Sequence, residues 1–98
     1  MNNFFIEAKS GGKNHGLYKA LHSQTKEQLL KSLSGYQKNI EEQRNKIKKP
    51  AACIDNWEAR SEQYKRRLLK KWEKDMLRNH EQLLITLGVI TERRINNE

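Results

Sequence analysis

The chain has 98 residues, and its 20 Lys and Arg outnumber 12 Asp and Glu to leave a formal charge of +8, which favours polyanionic or acidic partners. With 35% of residues apolar and 33% charged, a deep globular interior is excluded. The composition predicts one thin domain over 1–98, two layers of helix with little core, to which a dimer or a bound partner would add burial.

A single cysteine, Cys53, excludes an internal disulfide, and neither it nor His15, His22 and His80 falls into a zinc-ligand spacing, so no metal and no cofactor is expected. No apolar run approaches the roughly 20 residues that cross a bilayer. The opening Met-Asn-Asn-Phe-Phe-Ile lacks the basic flank and long apolar stretch of a signal peptide, so no membrane association is expected.

In chain order, residues 3–9 place Phe4, Ile6 and Ala8 on one side, the period of a half-buried strand. Ser10-Gly11-Gly12-Lys13-Asn14-His15-Gly16 reads as a turn, and Leu17 to His22 as a returning strand. The expectation over 1–22 is a β-hairpin that needs the helices behind it, because two strands alone are marginal in water.

Thr25-Lys26-Glu27-Gln28 has the form of a capping box and opens a helix predicted over 25–49. Along it Leu29, Leu33, Tyr36, Ile40 and Ile47 repeat at alternating steps of four and three residues, with Gln43 in the one polar slot. That is the narrow stripe of a helix packed lengthwise on another. Pro50 supplies the stop by disfavouring helical geometry in the residue before it.

Residues 50–56 read as a connector, with Ile54 and Cys53 tucked beneath it. A second long helix is predicted over 57–87, capped by Asp55 or a few residues later by Ser61, with Gly88 as its C-terminal stop. Tyr64, Leu68, Leu69, Trp72, Met76, Leu83 and Leu87 share one broad face of it. Val89 and Ile90 then fold back on the hairpin, and 91–98 form a frayed tail. The fold class expected is mainly α, an antiparallel long helical hairpin with a small N-terminal β-hairpin.

Two constellations bear on chemistry. Arg60, Arg67, Lys71, Lys74 and Arg78 follow one another at steps of seven, four, three and four, a row of cations along one side of the second helix, widened by Arg66 and Lys70. Such a row can track phosphates, with affinity that falls steeply with salt. The competing reading is a solvated face on which Glu62, Glu73, Asp75 and Glu81 pair with the cations. Trp57 and Trp72 are residue types that stack on bases, although Trp72 lies in the apolar arc.

The other constellation is the loop from Gly11 to Lys19 with His22 beyond it. His15 and His22 are candidate acid and base for metal-independent RNA cleavage, with Lys13 and Lys19 to stabilise charge on phosphate; the competing reading is a plain turn. Gly12-Lys13 is not a P-loop, and the motifs of zinc deaminases, serine hydrolases and zincins are missing.

Ser32 to Ile40 with Lys48-Lys49-Pro50, and Leu68-Leu69-Lys70-Lys71-Trp72-Glu73-Lys74-Asp75 after Trp57, with Glu81-Gln82 beyond, resemble helical segments near the C-terminal ends of bacterial polymorphic toxins and in small prophage-associated proteins. The resemblance covers about half of the chain and brings no catalytic residues with it. It implies an effector of bacterial competition, often a nuclease, acting in the cytoplasm of a bacterial cell and neutralised by a dedicated immunity protein. The partners expected are therefore nucleic acid, RNA ahead of DNA, or an acidic protein such as an immunity protein. The competing function is a non-enzymatic helical interaction or inhibitor protein of phage or mobile-element origin.

Overall fold

The computed structural model describes residues 2–97 and orders them as α1 (Asn3–Lys9), α2 (His15–His22), α3 (Lys26–Lys48) and α4 (Glu62–Asn97). Short 3-10 turns at Pro50–Ala52 and Trp57–Ala59 join α3 to α4. The molecule measures 56 × 26 × 19 Å. At 1.5 Å per residue α4 is about 54 Å long, so this one helix sets the length.

Local chemistry explains α3. The Thr25 hydroxyl accepts from the Gln28 N–H at 3.1 Å while the Gln28 side chain accepts from the Thr25 N–H at 2.9 Å, completing the capping box. The helix ends at Lys48, and Lys49 leaves helical geometry at φ −133° ahead of Pro50. Its seam faces α4: Leu29 is 1% exposed, and Leu33, Tyr36, Ile40, Gln43 and Ile47 are half-buried. The two helices run antiparallel, with Arg93 donating to the Gln24 carbonyl at 2.6 Å near one end and Asn39 donating to Asn79 Oδ1 at 3.3 Å midway.

The expected N-terminal β-hairpin is corrected to two short helices, and no strand occurs among the described residues. Asn2 caps α1 by accepting from the Phe5 N–H at 2.8 Å, and the buried pair is Phe5 and Ala8, three residues apart, while Phe4 and Ile6 are left 37% and 48% exposed. Alternation suggested the wrong period. The glycines that looked like a strand turn close the helix instead: Gly12 N–H bonds to Glu7 O at 2.9 Å and Gly11, at φ +94°, to Ala8 O at 3.4 Å, the paired bonds of a Schellman motif. After it Asn14 adopts φ 68° and α2 begins.

The second long helix starts at the later of the two caps offered, after Ser61, whose hydroxyl accepts from the Tyr64 N–H at 3.1 Å, so Trp57–Ala59 form a separate 3-10 turn before it. Its C-terminal end departs from expectation, because it runs through Gly88 to Asn97. Residues 91–97 are thus helical where a frayed tail was expected, and Glu98 lies outside the described residues. Val89 and Ile90 are buried as part of the helix and do not fold back. Gly88 serves packing: a Cβ there would lie 2.2 Å from Phe5 Cδ1 and 2.3 Å from Cγ.

Burial is gathered at the two ends of the hairpin. Phe5, Ala8, Leu21, Leu29, Ile85, Val89 and Ile90 form the main core, joining all four helices, with Leu17, Tyr18 and Leu33 against it. Full burial of side chains such as Phe5, Leu29 or Ile85 stabilises by ~1.5–3 kcal/mol each. At the turn end Trp57 and Trp72 stack with centroids 6.4 Å apart, and Lys65 Nζ lies 5.6 Å above the Trp57 ring.

Gly88→Ala is expected to destabilise the protein by ~1–3 kcal/mol through overpacking against the buried Phe5 ring, despite the better helix propensity of Ala. Gly35→Ala, whose Cβ meets nothing within 4 Å, should stabilise by up to about 1 kcal/mol. Urea denaturation of both variants checks the pair, and opposite signs are the expected result.

Candidate nucleic-acid interface

Of the five cations predicted as a row, all but Arg60 lie on one face of α4. Arg67, Lys71, Lys74 and Arg78 are all exposed, Arg66 and Lys70 flank them, and none of the six forms an ion pair among the described residues. The carboxylates that could have neutralised them bond elsewhere or stay apart. Glu81 holds Lys13 at 3.2 Å, and Glu62 lies 3.9 Å from Lys65. Arg60 differs from the others: it lies in the turn before α4, with its guanidinium 5.0 Å above the Tyr64 ring and Nη2 donating to Asp55 O at 3.4 Å.

Continuing the same helical spacing past Arg78 reaches Glu81, Ile85, Gly88 and Glu92. There the face is covered, because α1 and α2 lie on it: Phe5 on Gly88, Asn2 Nδ2 donating to Leu84 O at 3.1 Å, and Lys9 on Glu92 at 2.8 Å. Where the bare cationic half meets the covered half, an open groove of about 510 Å³ is lined by Lys13, Asn14, Lys74, Leu77, Arg78, Glu81 and Gln82.

Arg78 and Gln82 also line a second groove, of about 480 Å³, between α3 and α4, whose other walls are Asn39, Gln43, Asp75 and Asn79. Asn39 Nδ2 donates to Asn79 Oδ1, and Asn79 Nδ2 donates to Asp75 O at 2.8 Å. Gln43 Oε1 is buried with no hydrogen-bond donor among the described residues, as is Gln24 Oε1 just ahead of α3. Sequence reading noted Gln43 as a polar slot but missed this layer. The signal lay in Asp75, Asn79 and Gln82, which fall at seam spacing on the opposite helix.

Both tryptophans proposed for base stacking are buried, at 9% and 6% exposure for Trp57 and Trp72, and stack on each other. The histidines fasten helices. His15 Nδ1 lies 2.7 Å from Ala8 O, which can only accept, so Nδ1 carries a proton and joins α2 to the end of α1. His22 Nε2 lies 3.4 Å from Glu92 Oε2, and the Tyr18 ring stands between the two imidazoles, 6.2 Å from one centroid and 4.7 Å from the other. Lys13 turns to Glu81, and Lys19 is exposed. Among the described residues no group of three or more His, Cys, Asp and Glu could hold a metal ion, and no helix is long and apolar enough to cross a membrane.

Glu92, in the stretch expected to fray, is the polar hub. Its carboxylate accepts from Lys9 of α1 at 2.8 Å and from the Tyr18 hydroxyl of α2 at 3.2 Å, beside His22. Burial acts to raise the carboxyl pKa, but the Lys9 hydrogen bond and charge, with the Tyr18 and His22 contacts, outweigh it and hold the group below its ordinary 4.5. Burial and the neighbouring carboxylate push the Tyr18 hydroxyl above its usual range. No family model, curated protein or solved structure matches the chain.

Because the Glu92 pKa is lower folded than unfolded, its contribution to stability is present above pH 4.5 and is lost as pH falls through the folded value. Thermal melting from pH 7 to pH 3 is expected to show a steep acid limb in the wild type and a shallower one in Glu92→Gln, which should already melt lower at pH 7. Parallel acid limbs would remove Glu92 from that role.

Proposed function

We propose that this protein engages nucleic acid through the cationic face of α4, as a small basic effector of the bacterial competition or prophage type acting in the cytoplasm of a bacterial cell. One observation carries the reading: six exposed cations, Arg66, Arg67, Lys70, Lys71, Lys74 and Arg78, lie along the helix half that α1 and α2 leave bare, with no carboxylate paired to them among the described residues. Cations left unpaired beside available glutamates suit a polyanion, whose condensed counterions they release. The buried tryptophans direct the reading toward phosphate contacts and away from stacking.

Binding is favoured over ribonuclease activity, because His15 and His22 already join helices and Lys13 is held by Glu81. The same fastening of the histidines favours, as a second reading, a non-enzymatic interaction protein whose cationic face meets an acidic protein such as an immunity protein. Salt titration separates the two. A nucleic-acid binder should lose affinity for RNA with a steep log–log slope, and Lys71→Gln and Lys74→Gln should each reduce that slope by about 1. Unchanged RNA affinity in both variants would refute the interface.

Cleavage is tested separately. Labelled RNA incubated with the wild type should stay intact, and His15→Ala and His22→Ala should alter melting temperature without altering that result. Cleavage by the wild type that disappears in His15→Ala would install the ribonuclease reading instead.

A further inference from the structure

The strip of α4 that carries the row changes character at Glu81. Arg67, Lys71, Lys74 and Arg78 are followed, at the same alternation of four and three residues, by Glu81, then by the buried Ile85 and Gly88, then by Glu92. The cationic part is therefore short, about 16 Å from Arg67 to Arg78 at the helical rise per residue. It also ends against a wall. The segment between α1 and α2 meets the strip there, with Lys13 bonded to Glu81 at 3.2 Å, and α1 covers what lies beyond.

Along the rest of the row the cations come from α4 alone, whereas at its end a cation from another element joins them. Lys13, Lys74 and Arg78 line one groove of about 510 Å³, with Glu81 as the single carboxylate among its walls. Three cations against one carboxylate leave two positive charges in excess. All three cations are exposed, so the groove is reached directly from solvent. Lys74 and Arg78 form no ion pair among the described residues. The Lys13 ammonium meets Glu81 at Oε1 and Oε2, 3.4 and 3.2 Å away, and has a third N–H to give. Like charges set around one concave surface concentrate the field there.

We propose that this groove receives the terminal phosphate of an RNA strand, a phosphomonoester at its 5′ or 3′ end, with the phosphates that follow lying on Lys71 and Arg67. The proposal rests on the reading of the α4 cations as a nucleic-acid interface and adds selection for a strand end to it. A phosphomonoester carries a charge of about −1.5 to −2 at pH 7, close to the excess in the groove, and its three free oxygens can take the Arg78 fork and both ammonium groups together. An internal diester has about half that charge, and its chain would have to continue over Glu81 or into α1 and α2. Contacts of this kind need exposed donors and no enclosed cavity.

The test compares internally labelled oligouridylates at pH 7 and one fixed salt concentration: a strand phosphorylated at its 5′ end, the same strand phosphorylated at its 3′ end, and a hydroxyl-ended strand two nucleotides longer, which carries nearly the same total charge. One of the phosphorylated strands should bind about tenfold more tightly than the charge-matched strand, the size of one added charge-assisted hydrogen bond, and which one it is gives the direction of the strand on α4. Arg78→Gln should bring that ratio close to one. Lys71→Gln, outside the groove, should weaken binding of all three strands and leave the ratio in place. Both side chains are exposed, so neither change touches the core.

A ratio of one in the wild type would overturn capture of the strand end and leave a row that takes internal phosphates. A ratio that survives Arg78→Gln, or that Lys71→Gln lowers as far, would overturn the assigned groove. Failure of the wild type to bind any of the strands would overturn the interface together with this proposal, so failure of the interface and failure of end selection give different results.

Discussion

The ring of Phe5 rests against the backbone of α4 at Gly88, closer than any side chain there would permit. That contact seats α1 on the long helix, and α2 follows, with Leu21 completing the core and Tyr18 and His22 reaching Glu92. One face of α4 is thereby divided in two. Beyond Glu81 it is covered and carries Ile85, Gly88 and Glu92; before Glu81 it is bare and carries Arg67, Lys71, Lys74 and Arg78. Fold and charge distribution follow from the same packing choice, since a cation beneath α1 would have to be desolvated and an apolar residue in the bare half would face water.

Features governed by neighbours in sequence were legible before the structure. Thr25 with Gln28 and Pro50 with Lys49 act within a turn of one another, and α3 falls where they placed it. The long seam on α3 correctly implied a helix packed lengthwise on it. Features governed by distant contacts were not legible. Gly88 is a stop signal locally, and only the Phe5 ring, 83 positions away in sequence, makes it a packing site inside a continuing helix. Residues 3–9 illustrate the same limit. Phe4-Phe5-Ile6 offers either period, and the choice falls to Asn2 as cap and Gly11-Gly12 as terminator, both of which bond within α1.

The candidate interface was half legible. Spacing alone placed the row of cations, yet only the packed structure shows that the glutamates interspersed with them do not neutralise it. The histidine loop was legible as a cluster but not in its role, because His15 bonds the Ala8 carbonyl of α1 and His22, with Tyr18, reaches Glu92 of α4. Glu92 itself was unreadable from local pattern. Its importance depends on Lys9, Tyr18 and His22 arriving from two other helices.

The stacked tryptophan pair at the turn end has a consequence for motion. It is a much smaller anchor than the four-helix core, and between the two the apolar seam side chains Tyr36, Ile40 and Met76 are only half-buried, beside the Asn39–Asn79 hydrogen bond. Local opening free energies follow such differences in contact density. Local opening is therefore expected at the Trp57 end before the base, with amide hydrogens near that tip exchanging with solvent sooner than those around Ile85.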